Sequence, residues 1–173
     1  MRSSLFITCT LFALVILAPA FAMQLQKGVW KSAQWTWYTS YAPCCKNSPN
    51  YNPNAPKGEC QDFSACKYLG DFAAIGHKSY DYVKSHNIIA LYDDSDPYGK
   101  NFMSSYGGKW VKVRKNGKEI TAQIADTCGN NDCNWCCRKN SKGGILVDME
   151  ENTVKRNFGS TGAVGGTIDI QLL

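Results

Sequence analysis

The chain has 173 residues, nine cysteines and a formal net charge of +5, with 19% of its residues charged. That length suits one domain with its own core. The mild, scattered positive charge excludes a nucleic-acid footprint, which would gather lysine and arginine in one stretch.

In chain order, residues 1–22 have the parts of a secretory signal. Arg2 gives the positive start, Leu5 to Leu17 an apolar run, and Ala20-Phe21-Ala22 a small-x-small cleavage pattern. The run is too short to span a bilayer, so a secreted product of residues 23–173 without a membrane segment is expected. Cleavage removes Cys9 and leaves the even set Cys44, Cys45, Cys60, Cys66, Cys128, Cys133, Cys136 and Cys137. In an oxidising compartment these read as disulfides, with the pairing left open. Cys133 and Cys136 also have C-x-x-C spacing, but secretion and two adjacent cysteine pairs argue against zinc. No metal and no cofactor is expected.

Trp35 to Thr39 alternates Trp and Thr and predicts a strand, with Trp35 and Trp37 on its buried face. Residues 43–58 are rich in Asn and Pro and predict a long loop that needs disulfide bracing. Phe72 to Ile75 is a short strand candidate, Ser79 caps a helical turn or two to Ser85, and Ile88 to Tyr92 is a further strand. Asp93 to Gly108 is polar and predicts an exposed excursion.

The clearest signal is Asn116-Gly117 between two alternating runs from Lys109 to Ile124, the pattern of a tight hairpin. Asp126 to Cys137 follows as a cysteine-rich loop. After Ile145-Leu146-Val147, Asp148 and Glu151 form a capping-box pattern for a helix from Met149 to about Asn157, ended by Gly159. Thr167 to Leu172 is the last strand, with Ile168, Ile170 and Leu172 on one face.

The order of the C-terminal half carries a resemblance. The Asn-Gly hairpin, then Ile124-Ala125-Asp126-Thr127-Cys128, then Val147-Asp148-Met149, then Gly166-Thr167-Ile168-Asp169-Ile170 is similar to the double-psi β-barrel superfamily. Members include expansins, rare lipoprotein A-like proteins, barwin- and kiwellin-like proteins and family forty-five glycoside hydrolases. The resemblance spans roughly Trp35 to Leu173. It implies an all-β fold: a six-stranded double-psi β-barrel with one or two short helices, long disulfide-braced loops and an open groove. Residues 80–107 depart from the compact members.

Asp126 is the candidate acid, held on a rigid, cysteine-fixed segment as a proton donor requires. The resemblance matches it to the expansin acid. For Asp148, helix capping is the better explanation. Tyr41-Ala42-Pro43-Cys44-Cys45-Lys46 looks like the Tyr-Trp-Asp-Cys-Cys-Lys opening of family forty-five endoglucanases, with Pro43 where those enzymes have their base. No carboxylate stands between Met23 and Gly58. Glu59, Asp62, Asp71, Asp93, Asp94 and Asp96 are expected to stay away from the groove unless the chain folds back. Hydrolysis needs a second carboxylate, so an enzyme is not the leading expectation.

Trp37, Tyr38, Tyr41 and Trp135 are the candidate sugar-stacking residues. His77 and His86 read as ordinary exposed histidines. The leading expectation is a monomeric, expansin-like protein that binds extracellular polysaccharide (cellulose, matrix glucan, chitin or peptidoglycan) and loosens it without hydrolysis. The alternatives are a glycan-cleaving enzyme, endoglucanase or lytic transglycosylase, using Asp126 as acid, and a secreted defence or protease-inhibitor module on the same fold. The second domain of two-domain expansins and the His-Phe-Asp segment of the plant proteins are both missing.

Overall fold

The structure, a computed structural model, describes residues 24–173. The expected signal segment and Cys9 lie outside the described residues. The elements run β1 Lys31–Tyr38, α1 Gly58–Asp62, β2 Asp71–Phe72, β3 Gly76–His77, α2 Tyr80–Ser85, β4 Ile88–Asp93, α3 Phe102–Ser105, β5 Trp110–Lys115, β6 Lys118–Thr127, α4 Cys136–Ser141, β7 Ile145–Glu150, α5 Glu151–Phe158 and β8 Thr167–Leu172.

Six strands close a barrel in the order β1-β7-β4-β6-β5-β8. Two pairs, β1 with β7 and β4 with β6, are parallel, and the others are antiparallel. This is an all-β, six-stranded double-psi β-barrel with short helices outside it. Closure leaves the barrel itself without an edge strand. Inward residues alternate with outward ones, and Ile89, Leu91, Val111, Val113, Ile124, Val147, Met149, Ile168 and Ile170 fill the interior. Trp35 is buried among them, and Trp37 packs at their edge.

The hairpin forms as expected. Asn116 and Gly117 have φ of 50° and 79°, the pair of positive values that the tight turn demands. Ser79 caps α2 by accepting from the Tyr82 amide at 3.2 Å. Residues Phe72 to Ile75 do not form one strand. Asp71–Phe72 and Gly76–His77 pair as a minimal hairpin with residues 73–75 in its turn.

Two expectations fail for a common reason, tertiary pairing. The helix does not begin at Met149. Parallel pairing of β1 with β7 continues to Tyr38 opposite Glu150, which keeps the backbone extended through Asp148. Glu150, fully buried, becomes the cap, and its carboxylate accepts from the Asn152 amide at 2.7 Å and from the Ser40 hydroxyl at 3.1 Å. The 93–108 excursion is also more than an exposed loop. Asp93, Phe102 and Tyr106 are buried, and the Tyr106 hydroxyl donates to Asp93 at 2.7 Å.

Candidate functional site

Strand register builds the site. On β7 and β4, Val147, Met149, Ile89 and Leu91 point into the barrel, so Asp148 and Ala90 point out. Asp148 stands opposite Thr36 on β1 and opposite Ala90 on β4. An irregularity between Ile89 and Ala90 skips one residue of β6, and Ala90 faces Asp126 where unbroken pairing would give Ala125. Such bulges re-aim side chains.

The result is one outward row across four strands: Thr36, Asp148, Ala90, Asp126. Two strand spacings put Asp126 and Asp148 about 9.5 Å apart along it. Between them on that row stands Ala90.

This row forms the floor of an open groove of about 870 Å³. Both aspartates are half-buried. Burial pushes the Asp126 carboxyl up to about 6, although the Ala73 and Thr127 amides donate to it at 3.0 and 2.9 Å and pull the other way. Burial raises Asp148 to about 7; the Thr36 hydroxyl, donating at 2.7 Å, opposes this, and the charges of Glu59 and Asp126 add to it. Burial thus lets both carboxyls of one cleft hold a proton that a solvated surface aspartate has lost at the same pH.

The walls come from two cysteine-rich segments. Cys44–Cys60 and Cys45–Cys66 tie the 43–66 loop, and Cys128–Cys137 with Cys133–Cys136 tie the opposite one. Each set brings three sulfurs together in the manner of a metal cluster. Every one of those sulfurs is in a disulfide, which leaves no thiolate to ligate an ion. The first wall carries Glu59, Phe63 and Tyr68 into the groove. Glu59 and Asp71 therefore do reach the groove, against expectation: the two disulfides turn α1 over the barrel face, and β2 brings Asp71 to its side. Burial raises the pKa of Glu59, with Glu151 and Asp62 adding to the shift.

Of the expected sugar contacts, Trp37 and Tyr38 line the groove. The Tyr38 hydroxyl is buried without a hydrogen-bond partner, and its pKa is raised first by burial and then by Asp126, Glu150 and Asp148. Tyr41 is not in the groove. It is 6% exposed, lies in a second cluster with Phe72, Val83, Ile88 and Ala125, and donates to the Lys78 carbonyl at 2.5 Å. Tyr41→Phe is expected to cost about 1 kcal/mol of stability through the lost hydrogen bond. Thermal unfolding should show this while binding in the groove stays unchanged. Trp135 also lies outside the groove, with its ring edge-on to Tyr98 at 6.1 Å. His77 and His86 are exposed, and the His77 Nδ1 lies 2.9 Å from Asp71.

Sequence reasoning missed Asp148, Glu59 and Phe63 as groove residues. The alternation Val147-Asp148-Met149 was the available signal for Asp148, since it suits a strand as well as a helix start. Nothing local marked Glu59 or Phe63.

No family model matches the chain, and no curated protein matches it. Among solved structures it is similar to the Streptomyces papain inhibitor (SPI), with 14% identity and a TM-score of 0.40 over 87% of this chain and 99% of that one. A likeness of that size carries no argument, and the fold rests on the strand order itself.

Proposed function

We propose that this is a secreted, expansin-like protein that binds extracellular polysaccharide in the groove and loosens it without cutting it. The row Asp126–Ala90–Asp148 on the groove floor carries the reading. At mildly acidic pH both acids are protonated, and each offers an O–H to the hydroxyls of a sugar chain. They compete there with the bonds that hold one chain to the next. Exposed Phe63 and half-buried Trp37 supply apolar faces for the rings. Four disulfides suit an oxidising compartment.

Position argues against hydrolysis by the floor pair. Inversion places acid and base on opposite faces of the sugar ring. Asp126 and Asp148 rise from one floor and meet the same face of a chain lying on it. Pro43 leaves no base at the position of the hydrolase relatives. One observation favours a second reading: Glu59 reaches the groove from the wall, close enough for its charge to raise Asp148. With Asp148 as acid and Glu59 as base, the same groove would cleave.

One experiment tests both readings. Wild-type protein is mixed with insoluble cellulose and with chitin, and depletion from solution and new reducing ends are both measured. The expected result is depletion by one of them, reduced several-fold by Phe63→Ala, with no reducing ends formed. Reducing ends that vanish in Glu59→Gln would replace this reading with the hydrolytic one. No depletion by either polymer, with no reducing ends formed, would overturn both.

A further inference from the structure

Resting on that reading, we propose that the groove continues past Asp126 into a second cavity built by the 93–107 excursion. This extension takes the following residues of a neutral glycan chain, and affinity therefore grows with chain length.

The second cavity measures about 400 Å³ and shares a lip with the groove at Tyr68, Thr127, Gly129 and Asp132. The Tyr68 hydroxyl donates to Asp132 at 3.3 Å across that lip, and a chain running from one cavity to the other passes over this exposed bond. The groove alone is already at the upper end of the range for small-molecule sites, about 300–1,000 Å³. A continuous track through both cavities fits an oligomer, not a single sugar.

The far end of the track has an aromatic platform. Tyr98 is 70% exposed, the most exposed of the large apolar side chains among the described residues. Its ring is held edge-on by Trp135, and the Arg138 guanidinium lies 5.9 Å from the Trp135 ring centre. Trp135 has a φ of 63°, a left-handed conformation that a bulky side chain adopts only where its surroundings hold it there.

The loop beneath the platform is also fixed. Asp93 accepts from Ser95 Oγ at 2.6 Å and from Tyr106 at 2.7 Å, and Asp96 accepts from the Lys100 and Asn101 amides at 3.0 and 2.7 Å. An exposed ring on a pre-ordered base stacks on a sugar with little further loss of entropy.

Charge sets the class of ligand. Glu59, Asp71, Asp126, Asp132 and Asp148 line the groove against Lys142 alone, and Asp96 adds to the second cavity beside Lys67. With Asp126 and Asp148 protonated, a polyuronate would still meet the other carboxylates, which outnumber Lys67 and Lys142, whereas a neutral β-glucan or an N-acetylated glycan would not.

Calorimetric titration with the β-1,4-glucan trisaccharide and hexasaccharide tests the extension. The hexasaccharide should bind about tenfold more tightly, which corresponds to 1.4 kcal/mol. Tyr98→Ala should remove most of that advantage without changing trisaccharide binding, and Tyr98→Phe should keep it. Equal binding of the two oligomers, or a Tyr98→Ala loss shared by both, would overturn the extension and leave the groove standing. Tighter binding of a galacturonate hexasaccharide than of the glucan would overturn the neutral class. Binding of neither glucan oligomer, with the N-acetylglucosamine hexasaccharide also inert, would overturn the groove reading along with the extension.

Discussion

Asp148→Asn is expected to stabilise the protein above neutral pH and to weaken its action on polysaccharide there. An aspartate lifted from 3.8 to about 7 binds its proton more tightly in the folded state than in the unfolded one. Stability then falls as pH rises through that window and levels off above it. At 1.36 kcal/mol per pKa unit the full penalty is about 4 kcal/mol, and partial hydration of a half-buried group brings it to about 2–4 kcal/mol. Asparagine keeps the acceptor for Thr36 and removes the charge. The variant should melt about 5–10 °C higher than wild type at pH 8 and no higher at pH 4, where wild-type Asp148 is already neutral. The same change leaves Asp126 as the one acid of the floor pair, so extension of a loaded cellulose strip should fall severalfold at pH 7. A melting point that rises equally at both pH values would mean that the gain comes from something other than the buried charge. Extension left intact would remove Asp148 from the site. A group that costs stability while facing an open groove is the usual mark of a functional residue.

What could be read from the sequence follows from which signals are local. The Asn116-Gly117 turn requires two positive φ values that few other residue pairs supply, and it forms where expected. The last strand was legible because Ile168 and Ile170 alternate with polar residues, and both are buried. Asp126 was legible as a groove residue from the cysteine that follows it, although β6 runs on to Thr127 and holds it within a strand where a loop was expected. Its partner was not, because Asp148-x-x-Glu151 is a sound capping box on local grounds and only pairing with β1 overrides it. The bulge that puts Asp126 and not Ala125 opposite Ala90 is a property of two strands together, and no single segment encodes it. Tyr41 misled for the opposite reason. Adjacency to the cysteine pair suggested a groove rim, while its hydroxyl had a partner 37 residues away at Lys78. Glu59 depended on disulfide pairing, which the spacing of eight cysteines leaves open.

Loosening of a loaded cellulose strip, summed over the two donors, is expected to increase about twentyfold from pH 8 to pH 5, with no decline at more acid pH while the protein stays folded. At pH 8 an acid of pKa about 7 is roughly 10% protonated and one of about 6 roughly 1%. At pH 5 both are mostly protonated and both donate. A cleaving enzyme gives a different curve, since it needs one acid protonated and its partner ionised, and its rate peaks at a pH between the two values. The two aspartates also differ in how they sense each other. Asp126 titrates while Asp148 still holds its proton, whereas Asp148 titrates against an ionised Asp126 that raises it. Residual activity in Asp126→Asn should therefore fall off at lower pH than the upper limb of the wild-type profile. An unshifted midpoint in that variant would mean that the two carboxyls do not act as one site. A bell-shaped wild-type profile, accompanied by reducing ends, would transfer the role of base to Glu59, the remaining groove carboxylate whose charge raises Asp148.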